Sequence, residues 1–361
     1  MNQDGAFRFD YEVPRELVAQ EPLRHRADAR LMVVDRRRQS IEHHHVRDLP
    51  HLLPEGDRLV INDTKVIPAQ LFGVRTETGG RWQGLFISAT QEGLWQLLCK
   101  TRGHLTAGEK ITLRDREGRP AIQLWLIQQM EGGQWLAHPE TDEPTETILE
   151  RVGRVPLPPY IRGGNMVDQD VTNYQTVFAR RPGAIAAPTA GLHFTRELMK
   201  ALEARGVGQS RVTLHVGLGT FKPIESESLD DHRMHSEWAE ITQQTADEIN
   251  QTRAAGGRVI AVGTTVVRTL ETAIRNRSDG GVASDSDRQM RPWEGTTDLF
   301  IRPPFQFRAI DALFTNFHFP RTTLLVLVQT FGGAELIAEA YKQAISEEYR
   351  FYSYGDAMLI I

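Results

Sequence analysis

Between Gln70 and about Glu150 the chain changes rhythm, and that change limits the fold more than any other feature. Short strand-like runs, LFGVR, GLFIS, LWQLL, KITL and AIQLWLI, sit between the turn signals TETGG, QEG, TRGH, DREGR and MEGG. Runs this short and this regularly interrupted predict a small antiparallel β unit. Outside it, strand patterns alternate with helical ones, which predicts an α/β layer structure. The N-terminal strand candidates LMVV and RLVIN are assigned to that larger α/β unit. The large domain is therefore expected to be discontinuous, residues 1–69 and 151–361, with residues 70–150 as an insertion. The acidic, proline-bearing HPETDEPTETILE suits the surface crossing back.

Past that crossing the signals are regular. Thr195–Arg205 carries a capping threonine, apolar Leu198 and Leu202 at helical spacing, and Gly206 as a stop. VTLHV follows as a strand, and Thr242–Ala255 is a second helix ending at Gly256 and Gly257. RVIAV then leads through Gly263 into a third helix carrying Val267, Leu270 and Ile274. The continuous apolar run TLLVLVQTF predicts a buried strand, and Glu335–Ile345 a closing helix. RNRSDGGVASDSDRQMRPW, polar and without period, predicts an exposed, poorly ordered loop.

Composition removes several function classes. With 42 basic against 47 acidic residues the net charge is −5, so a nucleic acid would have to be held by a local patch. The single cysteine, Cys99, excludes an intrachain disulfide and a Cys-rich zinc site. No apolar stretch approaches the roughly 20 residues of a membrane span, and MNQDGAFRFDY lacks the layout of a secretory signal. A soluble cytoplasmic protein with no membrane partner is expected.

Familiar cofactor motifs fail on inspection. Gly103 to Lys110 comes near a phosphate-binding loop, but the lysine is misplaced and the surroundings are hairpin-like. GVGQSR and GLGTFK each lack a dinucleotide-loop glycine. His235 and Glu237 match half of a deaminase signature whose cysteine pair cannot exist here. His43, His44 and His45 read as a solvated run, so no metal is assigned.

What remains lies at strand ends, where α/β proteins place their sites. PTAGLHFT brings Thr189, Gly191 and His193 straight into a helix start, either a ligand cradle or a plain cap. VTLHVGLGTF puts His215, Gly217 and Gly219 at the end of a strand, where backbone can approach a ligand or simply turn. Gly263, Thr264 and Thr265 precede a helix bearing Arg268 and Glu271, which are three apart and could pair with each other. DHRMHSE supplies His232, His235 and Glu237 in a short span, TNFHFP holds Asn316 and His318 before the apolar run, and Asp356 follows an aromatic segment whose rings could stack bases.

Taken together, FDYEVPRELVAQEPL, LPPYI, YQTVFARRPGAIAAPTAGLHFT, VTLHVGLGTFKP, MHSEWAE, VIAVGTTVVRTLE, TNFHFPRTTLLVLVQTFGG and YRFYSYGDAMLI closely resemble the queuosine-pathway S-adenosylmethionine:tRNA ribosyltransferase-isomerase family over almost the whole chain. The resemblance implies a large, barrel-like α/β domain with an inserted small antiparallel β-barrel domain. It implies S-adenosylmethionine as ribosyl donor, no tightly bound cofactor, and tRNA carrying 7-aminomethyl-7-deazaguanine at the wobble position as acceptor. The products are then epoxyqueuosine-tRNA, adenine and methionine, made by a monomer.

That chemistry needs at least two acid/base groups. His193, His215, His235, Glu237, His318 and Asp356 are the catalytic candidates, with Glu237 or His235 preferred as base. Thr189, Gly191, Gly217, Gly219, Gly263, Thr264 and Thr265 are candidates for holding the donor, and Arg268 for its methionine carboxylate or a phosphate. Arg151, Arg154, Arg162, Arg180 and Arg181 are expected at a salt-sensitive tRNA interface. Four residues depart from the family pattern: Val266 for Ser, Pro304 for Gly, Arg321 for Glu or Lys, and Gln70 for Arg. The rivals are an ordinary methyltransferase, which would transfer the methyl group, and a non-catalytic RNA-binding module.

Overall fold

The computed structural model describes residues 10–217, 224, 229–276 and 288–361. Contacts divide the chain into a larger unit (Met1–Lys65, Tyr160–Gly163 and Asn173–Ile361) and a smaller one (Val66–Pro159 and Gly164–Thr172). The smaller unit thus starts ahead of Gln70 and runs past Glu150. The reason is local: Gln70 and Arg154 exchange backbone hydrogen bonds of 3.0 and 2.8 Å, and the Trp95 indole N–H donates to the Thr145 hydroxyl at 3.0 Å.

In chain order, β1 (Arg30–Asp35), β2 (Ser40–His45), a helical turn α1 (Leu49–Leu52) and β3 (Arg58–Asn62) come first, and β4 (Thr64–Val66) leads out. The smaller unit follows as β5 (Gln70–Arg75), β6 (Arg81–Ala89), β7 (Trp95–Thr101), β8 (Lys110–Arg114), β9 (Pro120–Gln129) and β10 (Gln134–Pro139). These six close into an antiparallel barrel, order β10-β7-β6-β5-β8-β9. Alternation explains its core: Trp82, Trp95, Leu97, Leu113, Leu124 and Trp135 point inward from strands whose intervening residues are more exposed. Gly84 is required, since a Cβ there would lie 2.1 Å from the Trp82 ring. β10 was hidden in the sequence because QWLAHP runs into the acidic crossing, and its partners β7 and β9 are distant or bulged. Helix α2 (Thr145–Val152) and the short α3 (Asp170–Asn173) end this region.

The larger unit resumes with β11 (Arg181–Ala184), α4 (Arg196–Ala204), β12 (Gly208–Leu214), β13 (Glu237–Ile241), α5 (Gln243–Ala254), β14 (Val259–Val262), α6 (Thr264–Arg275), β15 (Trp293–Thr297), β16 (Ala312–Asn316), α7 (Thr323–Gly332), α8 (Ala334–Ser346) and β17 (Ala357–Ile360). Nine strands form one mixed sheet, order β15-β13-β12-β3-β14-β16-β17-β1-β2. Its edge strands β15 and β2 do not pair, so among the described residues the barrel-like closure expected of this unit is not made by ladder hydrogen bonds. Apolar layers cover both faces: Val266, Leu270, Leu325, Val328 and Tyr341 belong to one, and Leu31, Leu59, Phe194, Leu198 and Phe314 to the other.

Two expectations are corrected here. TLLVLVQTF is helix α7, not a strand, and Asn316 therefore ends a strand and precedes a helix. Thr322 settles the matter locally, since its side chain accepts the Leu325 amide as an N-cap. A helix buried on nearly all sides shows no polar stripe, so its apolar run reads like a central strand. Burying Leu325, Val326, Leu327 and Val328 contributes roughly 1.5–3 kcal/mol each. Second, Thr189–His193 does not run straight into the helix but forms a separate short 3-10 turn, while Thr195 caps α4 as expected, its hydroxyl accepting the Leu198 amide at 3.1 Å. The loop expected at Arg275–Trp293 falls mostly on residues 277–287, outside the described residues. No single described helix is long and apolar enough to cross a membrane.

Candidate active site

Strands β12, β3, β14 and β16 run parallel, so Leu214, Asn62, Val262 and Asn316 end at one edge of the sheet. β17 is antiparallel to β16 and β1 is parallel to β17, which brings Asp356 and Arg30 to the same edge from the other direction. Ligands of open α/β sheets bind at such carboxyl ends. Two pockets lie there, sharing Leu324.

The first pocket is lined by His232, Met234, His235, Glu237, Arg268 and Thr323. Gly263 positions the helix that reaches this pocket, since its φ of 94° lets the chain leave β14 and start α6 while its amide donates to the Phe314 carbonyl at 2.7 Å. One turn into α6, Arg268 reaches Glu237 at the start of β13. The guanidinium also donates to the Leu299 carbonyl at 3.2 Å and the Thr297 carbonyl at 3.1 Å, while the other Glu237 oxygen accepts the Gly217 amide at 2.8 Å. Both side chains are nearly buried, 6% and 5% exposed. Arg268 does not pair with Glu271, which instead accepts the amides of Arg308 and Ala309 and pairs with Arg275. Helical spacing made that pairing available, but the sheet supplied a better partner. His235 is exposed at the pocket rim, and His232, packed edge-on against Phe300, has its pKa lowered by burial and then by His235.

The second pocket is lined by Tyr160, Thr189, Asn316, His318, Phe319, Tyr352 and Ser353. Asn316 donates to the Tyr352 carbonyl at 3.1 Å and lies 3.0 Å from His193 Nε2. Tyr352 holds φ at 71°, a conformation costing a bulky residue about 1–3 kcal/mol and retained only where the surroundings fix it. His318 Nε2 lies 2.8 Å from the Thr315 hydroxyl. Burial pushes the pKa of both imidazoles down to about 3, helped at His193 by the charges of Arg26 and Arg350. Both rings are therefore neutral near pH 7.

Other candidates have structural work. Asp356 is buried, and its two oxygens accept the amides of Arg30 at 2.8 Å and Arg350 at 2.7 Å, tying the Tyr349–Asp356 loop to β1. Burial raises its pKa against those hydrogen bonds. His215 bonds the Thr64 hydroxyl at 2.8 Å, stacks on Trp238 and lies over Gly183, whose Cβ would meet the ring at 2.7 Å. Gly191 makes room for Phe178 and Thr176. Thr265 receives the Asn62 amide at 3.3 Å, and buried Thr264 opens α6. Gly217 holds Glu237, and Gly219 lies outside the described residues. Val266 faces the apolar core, so its missing hydroxyl removes nothing from either pocket. Arg321 pairs with Asp10 at 2.7 Å. The expected tRNA-binding arginines have local partners, such as Glu143 for Arg151, Asp63 for Arg180 and Glu240 for Arg181. Tyr160 and Phe319 were not singled out from sequence, although both stand in the family-like blocks LPPYI and TNFHFP.

An ion pair, neutral imidazoles and an aromatic pocket thus gather at the carboxyl ends of parallel strands, where α/β enzymes place their active sites. The chain belongs to the queuosine biosynthesis protein family, which it matches over residues 6–360. It is 46% identical over 98% of both chains to the S-adenosylmethionine:tRNA ribosyltransferase-isomerase of Symbiobacterium thermophilum. It is 44% identical, again over 98% of both, to the protein of that name in Staphylococcus saprophyticus. Among solved structures it resembles the S-adenosylmethionine tRNA ribosyltransferase of Thermotoga maritima, with TM-score 0.55 and 34% identity over 98% of this chain and 99% of that one.

Proposed function

We propose that this protein transfers and isomerises the ribosyl moiety of S-adenosylmethionine onto 7-aminomethyl-7-deazaguanine at the tRNA wobble position, giving epoxyqueuosine-tRNA, adenine and L-methionine. The observation that carries this reading is end-to-end similarity to relatives of that activity, 46% identical over 98% of both chains. The sheet edge supports it by offering acid/base groups beside an aromatic-walled pocket.

The sulfonium acidifies the adjoining ribose carbon, so a base must take that proton, adenine must be helped to leave, and the acceptor amine must arrive unprotonated. His235, exposed at the rim of the first pocket, is the base in this reading. Glu237 is a poorer choice because Arg268 and the Gly217 amide already engage its two oxygens. Arg268 is likewise turned to Glu237 and two carbonyls, so it holds the pocket and leaves the methionine carboxylate to other groups. The enzyme acts as a cytoplasmic monomer with no resident cofactor. Its hold on tRNA weakens as salt rises, since phosphate contacts release counterions.

The test is to incubate the purified protein with S-adenosylmethionine and tRNA carrying 7-aminomethyl-7-deazaguanine, then digest the tRNA and weigh its nucleosides. Epoxyqueuosine should appear with the parent and drop at least 100-fold with His235→Ala. Absence of epoxyqueuosine with the parent overturns the reading, and undiminished turnover by the variant removes His235 from the base role.

A further inference from the structure

The Asn316 amide has two hydrogens, and both are committed: one to the Tyr352 carbonyl at 3.1 Å, the other to Nε2 of His193 at 3.0 Å. A carbonyl can only accept, so the amide cannot be turned round without setting two oxygens against each other. His193, neutral and accepting at Nε2, carries its proton on Nδ1. What Asn316 leaves for the pocket is Oδ1, which is buried and has no hydrogen-bond donor among the described residues. Buried acceptors are nearly always paired, and this one lines a pocket.

The pocket wall says what kind of donor fits. Phe319 and Tyr352 stack at 3.4 Å and 15°, and Tyr160 leans on them at 4.7 and 5.1 Å, presenting flat aromatic surface. Thr189 and Ser353 contribute hydroxyls, and no carboxylate lines the pocket. A guanine-type edge carries two adjacent N–H donors, which call for paired acceptors. An adenine edge carries one amino donor flanked by ring-nitrogen acceptors, which matches one amide oxygen among hydroxyls.

We infer that Asn316 Oδ1 accepts the 6-amino group of the adenine of S-adenosylmethionine and so selects an adenosyl donor. The inference rests on the ribosyl-transfer reading above. Asn316 is then a specificity-determining residue that β16 carries to the sheet edge and that Tyr352, in its constrained conformation, keeps the right way round.

The test compares S-adenosylmethionine with S-inosylmethionine, whose 6-oxo group would face Oδ1 as a second acceptor. The parent should prefer the adenosyl donor in kcat/KM by roughly 10- to 100-fold, the penalty of a buried acceptor left unpaired. Asn316→Ala should raise KM for S-adenosylmethionine, leave KM for tRNA unchanged and bring the two donors within about threefold of each other. A general loss of packing would not change that preference. If the parent uses both donors equally, the inference falls while ribosyl transfer stands, whatever the variant does. If the parent transfers ribosyl from neither donor, the functional reading falls and takes the inference with it.

Discussion

Replacing Arg268 by methionine probes the wall of the first pocket. Its guanidinium donates to Glu237 and to the carbonyls of Leu299 and Thr297, at 3.2 and 3.1 Å. With the two ionic side chains only 6% and 5% exposed, neither charge can turn to water when the other is lost. Breaking a buried pair from one side costs about 3–5 kcal/mol, because the remaining charge stays desolvated and unpaired. At roughly 2–4 °C per kcal/mol for a unit of this size, Arg268→Met should lower Tm by about 6 °C or more. Adding Glu237→Leu removes the stranded carboxylate and should restore at least half of the loss. Urea unfolding of the four proteins, followed by tryptophan fluorescence, gives the coupling energy. An Arg268→Met protein within about 2 °C of the parent, or a double variant as unstable as the two single losses combined, refutes the buried-pair reasoning.

The remaining predictions concern packing and protons. The pKa of His193 and His318 is held at about 3, against about 6.5 in an unfolded chain. The unfolded state therefore binds more protons between those values, so stability falls with pH below about 6.5, by about 1.4 kcal/mol per pH unit for each ring. Tm of His318→Asn should decline less steeply from pH 6.5 to 4.5 than Tm of the parent, and parallel declines would contradict the burial. Gly191→Ala places a Cβ 2.8 Å from Phe178 and 2.9 Å from Thr176, so it should lose about 1–3 kcal/mol in thermal melts; an unchanged Tm would free Gly191 for a ligand role. Val266→Ser should cost about 1.5–3 kcal/mol of core burial and leave KM for S-adenosylmethionine within twofold, whereas a clear fall in KM would show that the hydroxyl reaches the donor.

Local signals carried much of the fold. Turn residues delimited the barrel strands, and Thr195 and Thr242 announced α4 and α5 because capping is a contact made within a few residues. Expectations failed where distant partners decide. α7 is wrapped by apolar neighbours and so has no stripe to read. β17, last in the chain, inserts between β16 and β1, an order no local pattern encodes. At the site, His235, Glu237 and Arg268 were legible as chemistry-bearing residues, but helical spacing suggested the wrong partner for Arg268. Asn316 was visible in TNFHFP, yet only the Tyr352 carbonyl shows which of its atoms is left for a ligand.

The central claim is that a ribosyl group, and not a methyl group, leaves S-adenosylmethionine. Donor labelled separately in ribose and methyl, incubated with the protein and tRNA carrying 7-aminomethyl-7-deazaguanine, tests it directly. The account predicts ribose label in tRNA with an equal amount of free adenine, and methyl label recovered in methionine. Methyl label in tRNA, or tRNA bound without any transfer, would contradict it.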